Sequence, residues 1–323
     1  MIKSYIPMPL PPKKRTKNKN SVLKRLFYFC VALAVSGSAA AAINCGQIEF
    51  ENYLYAQISR PIHEIVLATP KPEPKKPELD AKAALLLRLG DDNRQKMLFK
   101  KNIDQKLPIA SITKLMTAKV ILENSDIYEL SRMITVSFEA AARPDVPVFG
   151  NLQAGEIYSV EQLLSLVLHY SSNDAVQALV EVMGEERFVL LMNESAARTG
   201  LDQTMFFNAT GLDEQDGRAN YSTALDLTAL TENILEFHPE IFAITKTPGP
   251  YRTQNGVFDF NLWDGQKLVG GKTGYTEKAG GCMIAVFDDE SGWRYIGVLL
   301  GAVNSETRVA EMQKMVNFSG NYN

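Results

Sequence analysis

The sequence predicts an α+β domain: one antiparallel five-stranded sheet with helices packed around it. Three observations lead there. A hairpin pattern opens the region after residue 80, a run of amphipathic helical stretches follows it, and three extended stretches with a last helix close the chain. Strands at both ends of a domain, with helices between them, favour a sheet whose first and last strands meet. No self-similarity at a 20–50-residue period suggests a solenoid or propeller.

The hairpin is read from apolar Ala83 to Leu89, the turn residues Gly90-Asp91-Asp92-Asn93 and a short extended run around Met97-Leu98-Phe99. Apolar residues recur at helical spacing in Thr113–Glu123, Val160–Tyr170, Asp174–Met183, Glu186–Thr199 and Ala224–Phe237. Lys267–Lys272, Gly281–Asp289 and Trp293–Val303 read as strands, the last two joined by the polar turn Asp288–Gly292, and Glu306–Phe318 as the final helix.

The chain has 323 residues, 46% hydrophobic and 22% charged, a composition that excludes a largely disordered or fibrous protein. Its net charge of −3 is unevenly spread. Residues 1–25 carry eight Lys/Arg and no acid, which leaves 26 basic against 37 acidic side chains, a balance of −11, in the rest. Such a body lacks the basic footprint of a nucleic-acid partner. Cys30, Cys45 and Cys282 are too few and too scattered for a disulfide framework or a zinc site.

Ahead of the domain, 1–25 reads as a basic cytoplasmic segment and Leu26 to Ile43, an uncharged run of 18 residues, as a transmembrane anchor or signal h-region. The cationic flank, with Glu49 and Glu51 downstream, orients the remainder outward and makes this segment the expected membrane contact. Residues 44–80 form a Pro-rich linker region, in which 70–78 alternate proline with charge as a semi-rigid spacer; the folded domain occupies 81–323.

Three short motifs carry the candidate chemistry. Ser111-Ile112-Thr113-Lys114 is an S-x-x-K read as the first turn of a helix, where Ser111 and Lys114 share a face with Cβ atoms about 5–6 Å apart. A lysine kept from being charged can act as the base that a weakly nucleophilic serine needs. Taken alone, so short a pattern reads first as a helix cap followed by a solvated lysine. Ser171-Ser172-Asn173 can place a hydroxyl and an amide in a cleft, although both are also ordinary capping residues. Lys272-Thr273-Gly274 lies in a glycine-flanked strand that could bulge, approach a ligand closely and pair with it along its edge. A phosphate loop is disfavoured, because Gln266 stands where the first Walker glycine belongs. Of the histidines, only His169 is near a motif, and its helical surroundings make it a partly buried structural residue rather than part of a Ser/His/Asp triad.

S-x-x-K, S-x-N and K-T-G in that order, 60 and 101 residues apart, resemble the penicillin-recognising serine enzymes. The surrounding strings 110–118, 171–175, Thr210-Gly211-Leu212-Asp213, Tyr221-Ser222-Thr223-Ala224 and 272–276 resemble the serine D-alanyl-D-alanine carboxypeptidases, the low-molecular-mass penicillin-binding proteins. The resemblance spans Ala81 to about Phe318.

It implies a β-lactamase/transpeptidase-like fold and acyl transfer on the peptidoglycan stem peptide, with β-lactam antibiotics as covalent inhibitors and no metal or organic cofactor. Ser111 would attack the carbonyl between two D-alanines, Lys114 would take its proton, and Ser171 with Asn173 would assist transfer to the leaving amine. Lys272, Thr273 and Arg308 would hold the terminal carboxylate, and Lys272 would help keep Lys114 neutral. The oxyanion would sit between the backbone N–H groups of Ser111 and Tyr275, beside Gly274. The implied location is the bacterial envelope, in the periplasm or on the outer face of the inner membrane.

Ile109 stands where many relatives have proline, and the chain ends at Asn323 without the second β-rich domain and membrane-binding tail of many relatives. The N-terminal segment is expected to serve as the tether. A D,D-endopeptidase is therefore the second expectation. A β-lactamase lacks an evident deacylating glutamate, since Asp213 and Glu214 fall in a carboxypeptidase-like string. A catalytically silent wall-binding scaffold is the reading from another class.

Overall fold

The computed structural model describes residues 23–36, 74–90, 95–143, 151–246 and 267–322. The chain divides into two compact units, 1–73 and 74–323. In the first, residues 23–36 form helix α1, whose Leu26, Phe27 and Phe29 are exposed. Most of the basic segment, the end of the apolar run, Cys45 and the spacer up to residue 73 lie outside the described residues. Among the described residues no helix is long and apolar enough to cross a membrane.

The second unit begins with β1 (Ala83–Leu89), β2 (Lys96–Lys101) and β3 (Leu107–Pro108), then a 3₁₀ turn at Ala110–Ile112. Next come α2 (Thr113–Glu123), β4 (Met133–Thr135), α3 (Phe138–Ala141), β5 (Ile157–Ser159), α4 (Val160–His169), α5 (Asn173–Val180) and α6 (Glu185–Thr199). It continues through β6 (Tyr221–Ser222), α7 (Ala224–Phe237), α8 (Glu240–Lys246), β7 (Lys267–Thr276), β8 (Gly280–Asp288), β9 (Arg294–Ala302) and α9 (Ser305–Ser319).

The sheet is the expected one: five antiparallel strands in the order β2-β1-β9-β8-β7. Its first and last strands meet, β1 pairing with β9 from Ala83↔Leu300 to Leu89↔Arg294. Both faces are covered, which is why β1 reads as a nearly unbroken apolar run. Leu85, Leu87, Ile284, Val286, Ile296 and Val298 face the core built with α2, α4, α5 and α7. The alternate residues Leu86, Met283, Ala285, Phe287 and Leu299 face Met312, Met315 and Val316 of α9.

Local chemistry sets the helix ends. Ser159 and Gln162 form a capping box at α4, as Asn304 and Thr307 do at α9, and Thr223 caps α7 by accepting from Asp226 N. Gly200, at φ +76°, ends α6 in the left-handed conformation that glycine reaches without strain. Buried Glu311 on α9 accepts from the backbone N–H groups of Asp80 and Ala81, the latter at 3.0 Å, and so fixes the start of the domain to its last helix.

Two expectations need correction. β7 runs four residues past Lys272 to Thr276, and its irregularity lies at Leu268/Gly270, so Lys272 and Thr273 alternate normally along the strand. α5 ends at Val180 rather than Met183. The small pairings β3/β6 and β4/β5, and helices α3 and α8, were not anticipated.

Candidate active site

Ser111 lies in the 3₁₀ turn that feeds α2, not in the first α-helical turn, and the preceding Ala110 has φ +47°. The three-residue separation still brings Lys114 Nζ to 3.0 Å from Ser111 Oγ. Lys114 is 0% exposed, and its Nζ also donates to Asn173 Oδ1 at 2.7 Å and Thr210 O at 2.8 Å. As an ammonium, Lys114 can serve all three acceptors. As a neutral amine, it can hold Asn173 and Thr210 with its two protons and aim its lone pair at the Ser111 hydroxyl. No carboxylate is among these partners.

The second motif sits in the α4–α5 connection. Ser172, not Ser171 or Asn173, caps α5, accepting from Ala175 N at 3.1 Å. Ser171 has φ +60°, a costly conformation for a residue with a side chain and one that clusters at functional sites. With the cap supplied by its neighbour, its hydroxyl is turned to Lys272, whose Nζ donates to it at 2.9 Å.

The third motif lies on β7, an edge strand. Lys272 is 3% exposed, and its Nζ also donates to Thr273 O at 3.0 Å. Burial, reinforced by the neighbouring charges of Lys114 and Arg308, holds the Lys272 amine well below the usual lysine range. Gly271 N–H points away from β8 to Thr245 Oγ1 on α8, at 3.0 Å. By the two-residue period of a strand, the N–H groups of Thr273 and Tyr275 face the same open side. Arg308 Nη1 donates to Gly274 O at 2.9 Å, so that cation is joined to the strand itself. A Cβ built on Gly274 would lie 2.9 Å from both Ser111 N and Ile109 O, so only glycine lets β7 come this close to the serine turn. All three motifs thus meet at one place, through Lys114–Asn173, Lys272–Ser171 and the approach of Gly274 to Ser111.

Sequence reasoning missed what stands behind Lys114. Gly211 has φ +84°, and a Cβ there would fall 2.0 Å from Ala110 O. The adjoining Thr210 carbonyl is held by Asn208 and Asn220, which no periodicity marks; the Thr-Gly-Leu-Asp string was legible only as a resemblance. Glu214 is turned onto Asn208 Nδ2 at 2.5 Å, and Asp213 is exposed. His169 Nδ1 lies 3.1 Å from both Ser165 Oγ and Ser165 O, one helical turn back, while His63 is outside the described residues. Burial pushes the Cys282 thiol, opposite Gly274 on β8, up to about 11. Among the described residues no group of three or more His, Cys, Asp or Glu has metal-binding geometry.

A serine hydroxyl bound by a buried lysine at the foot of a helix, facing an edge strand of a helix-covered antiparallel sheet, defines the class of the penicillin-recognising serine enzymes. Within that class the chain belongs to the D-alanyl-D-alanine carboxypeptidase family, peptidase family S11, whose model matches residues 70–304. It is 33% identical over 251 residues to the D-alanyl-D-alanine carboxypeptidase DacF of Bacillus subtilis, covering 74% of this chain and 62% of that protein. It is 31% identical over 244 residues to a D-alanyl-D-alanine endopeptidase of Pseudomonas aeruginosa, covering 70% of this chain and 74% of that protein.

Among solved structures, penicillin-binding protein D2 of Listeria monocytogenes in its cefotaxime-bound form superposes with a TM-score of 0.62 at 32% identity, covering 76% of this chain and 99% of that one. The same Listeria protein is also known in an ampicillin-bound form. Penicillin-binding protein 6B of Escherichia coli gives a TM-score of 0.63 at 30% identity, over 77% of this chain and 80% of that one. The chain spans about 62% of the length of the Bacillus relative and of the carboxypeptidase DacC of Escherichia coli.

Proposed function

We propose that the chain is a serine-type D-alanyl-D-alanine carboxypeptidase that trims peptidoglycan stem peptides through an acyl-serine intermediate. The observation that carries this reading is the fully buried Lys114 amine at 3.0 Å from Ser111 Oγ, with neutral acceptors for its other protons. In this reading Lys114 takes the Ser111 proton as Oγ attacks the carbonyl carbon of the penultimate D-alanine. The oxyanion then gathers charge between the backbone N–H groups of Ser111 and Tyr275. Ser171, linked to Lys272, relays a proton to the departing amine, the C–N bond breaks and D-alanine leaves. Water, deprotonated through the same lysine, cleaves the ester and restores the Ser111 hydroxyl. Lys272, Thr273 and Arg308 supply the positive, hydrogen-bonding end that a terminal carboxylate requires.

A β-lactam presents a carboxylate and a strained amide in the same relation, so it enters as a covalent inhibitor. Envelope localisation with the N-terminal segment as membrane contact completes the proposal, supported by the basic flank and apolar run of the sequence. Fluorescent penicillin should label the native protein and not Ser111→Ala; absence of label on both overturns the reading. D,D-endopeptidase activity is the second reading, favoured by the match to the Pseudomonas endopeptidase at the same level of identity as to carboxypeptidases. Digestion of purified muropeptides separates the two: carboxypeptidase activity removes one alanine from monomers, and endopeptidase activity converts cross-linked dimers to monomers.

A further inference from the structure

Behind the Ser111–Lys114 pair, the segment 206–214 makes a turn that starts directly after the bridge of Met205 with Tyr221. Two buried asparagines hold it. Asn208 Oδ1 accepts from Thr210 N at 3.2 Å, Thr210 Oγ1 at 3.1 Å and Gly211 N at 2.7 Å. Asn208 Nδ2 donates to Leu212 O at 2.9 Å and to Glu214 Oε1. One amide thus closes the turn on both sides of Thr210. Asn220 ties the turn to the nucleophile: its Nδ2 donates to Asn208 O at 2.8 Å and to Thr113 Oγ1 at 3.0 Å, its Oδ1 accepts from Phe207 N at 2.7 Å, and its backbone O accepts from Ile109 N at 3.1 Å. Thr113 and Ile109 flank Ser111 on either side.

The product of this network is a single carbonyl, Thr210 O, aimed at Lys114 Nζ. We infer that Asn208, secured by Asn220, is a positioning residue that sets the protonation of Lys114 by fixing the Thr210 carbonyl dipole on its amine. A carbonyl oxygen stabilises the ammonium more than the amine, so the clamp moves the pH at which Lys114 turns into a base. Of the charged groups on the neighbouring elements, Lys272 on β7 acts on Lys114 by charge repulsion, Arg308 on α9 donates to Gly274 O and Asp174 at the head of α5 accepts from Leu152 N, Ser172 Oγ and Ala175 N; these stay as they are when Asn208 is changed, whereas the Glu214 carboxylate, held by Asn208 Nδ2, is released. The inference rests on the proposed role of Lys114 as general base.

The structure supplies its own control. Asn193 on α6 clamps the other end of the same segment with the same chemistry, its Oδ1 accepting from Phe206 N and its Nδ2 donating to Phe206 O, both at 2.9 Å, without a link to Lys114. The experiment is the rate of Ser111 acylation by fluorescent penicillin between pH 5 and 10, for the full chain, Asn208→Ala and Asn193→Ala, with melting temperatures alongside. Asn208→Ala should shift the acid limb downward by about one pH unit, a tenfold change in ionisation, and lower the plateau. Asn193→Ala should lose comparable thermal stability yet keep the wild-type limb. Equal shifts in both variants, or no shift in Asn208→Ala, overturn the inference. Should Asn208→Ala fail to fold, Asn208→Ser, which keeps an acceptor in the turn, takes its place with a shift in the same direction. A wild type that is not labelled at all refutes instead the proposed function.

Discussion

Gly274→Ala tests how closely the edge strand must approach the nucleophile. The new methyl would start 2.9 Å from Ser111 N, 2.9 Å from Ile109 O and 3.0 Å from Ala110 Cβ, where ordinary contact begins at 3.4 Å. Two of these neighbours are backbone atoms, so the strand and the serine turn must separate by about 0.5 Å, the positional tolerance of a catalytic constellation. A displacement of ~1 Å can lower a rate about 100-fold, so roughly a 10-fold loss is expected here, and more if the N–H groups of Ser111 and Tyr275, proposed to hold the oxyanion, diverge. Overpacking of this kind also destabilises by about 1–3 kcal/mol. The assay is the second-order rate of acylation by penicillin, measured well below the melting temperature, with Gly320→Ala as a control because nothing lies within 4 Å of a Cβ there. Acylation within twofold of wild type in a fully folded Gly274→Ala protein would refute the argument that this glycine exists for close approach.

Two further outcomes follow from burial and charge. Lys272→Met should abolish the proposed acylation by penicillin yet raise the melting temperature by about 2–4 °C, as removal of roughly 1 kcal/mol of buried-charge cost would. The folded-state pKa of Lys272 lies below its unfolded value near 10.5, so the lysine costs most at low pH and less as pH rises towards that value. The advantage of the methionine should shrink in the same direction; a lower melting temperature at pH 7, or a gap widening with pH, counts against this. Glu311→Ala leaves two backbone N–H groups without their acceptor and should cost about 2–4 kcal/mol in urea unfolding. Its acylation rate, once folded, should stay near wild type; a stability change under 0.5 kcal/mol, on the order of a neutral surface substitution, would show that the anchor is dispensable.

What could be read from the sequence was what repeats or alternates. α2 and α7 occupy the predicted residues because their apolar positions recur with the helical period, and the two-faced burial of β1, β8 and β9 appears as apolar runs. The end of β7 was hidden because Gly270, Gly271 and Gly274 dilute the strand signal, and they are there for approach rather than for propensity. The three motifs gave seven residues of the cleft, and their order carried more information than any one spacing. The turn at 206–214 could not be read, because side-chain amides that bind backbone groups follow no period. Nor could the cap at Ser172 be assigned, since three successive polar residues offered themselves and only tertiary packing decided which one would cap and which would face Lys272.

The pairing of β1 with β9 joins segments more than 200 positions apart, and β7, which carries Lys272, enters the sheet only through β8 and β9. During synthesis Ser111 and Lys114 therefore emerge long before the strand they face. Until its final third arrives, a partly made molecule holds Ser111 with no β7 strand opposite it. The geometry around that hydroxyl is therefore assembled last, whatever the order in which its residues are made.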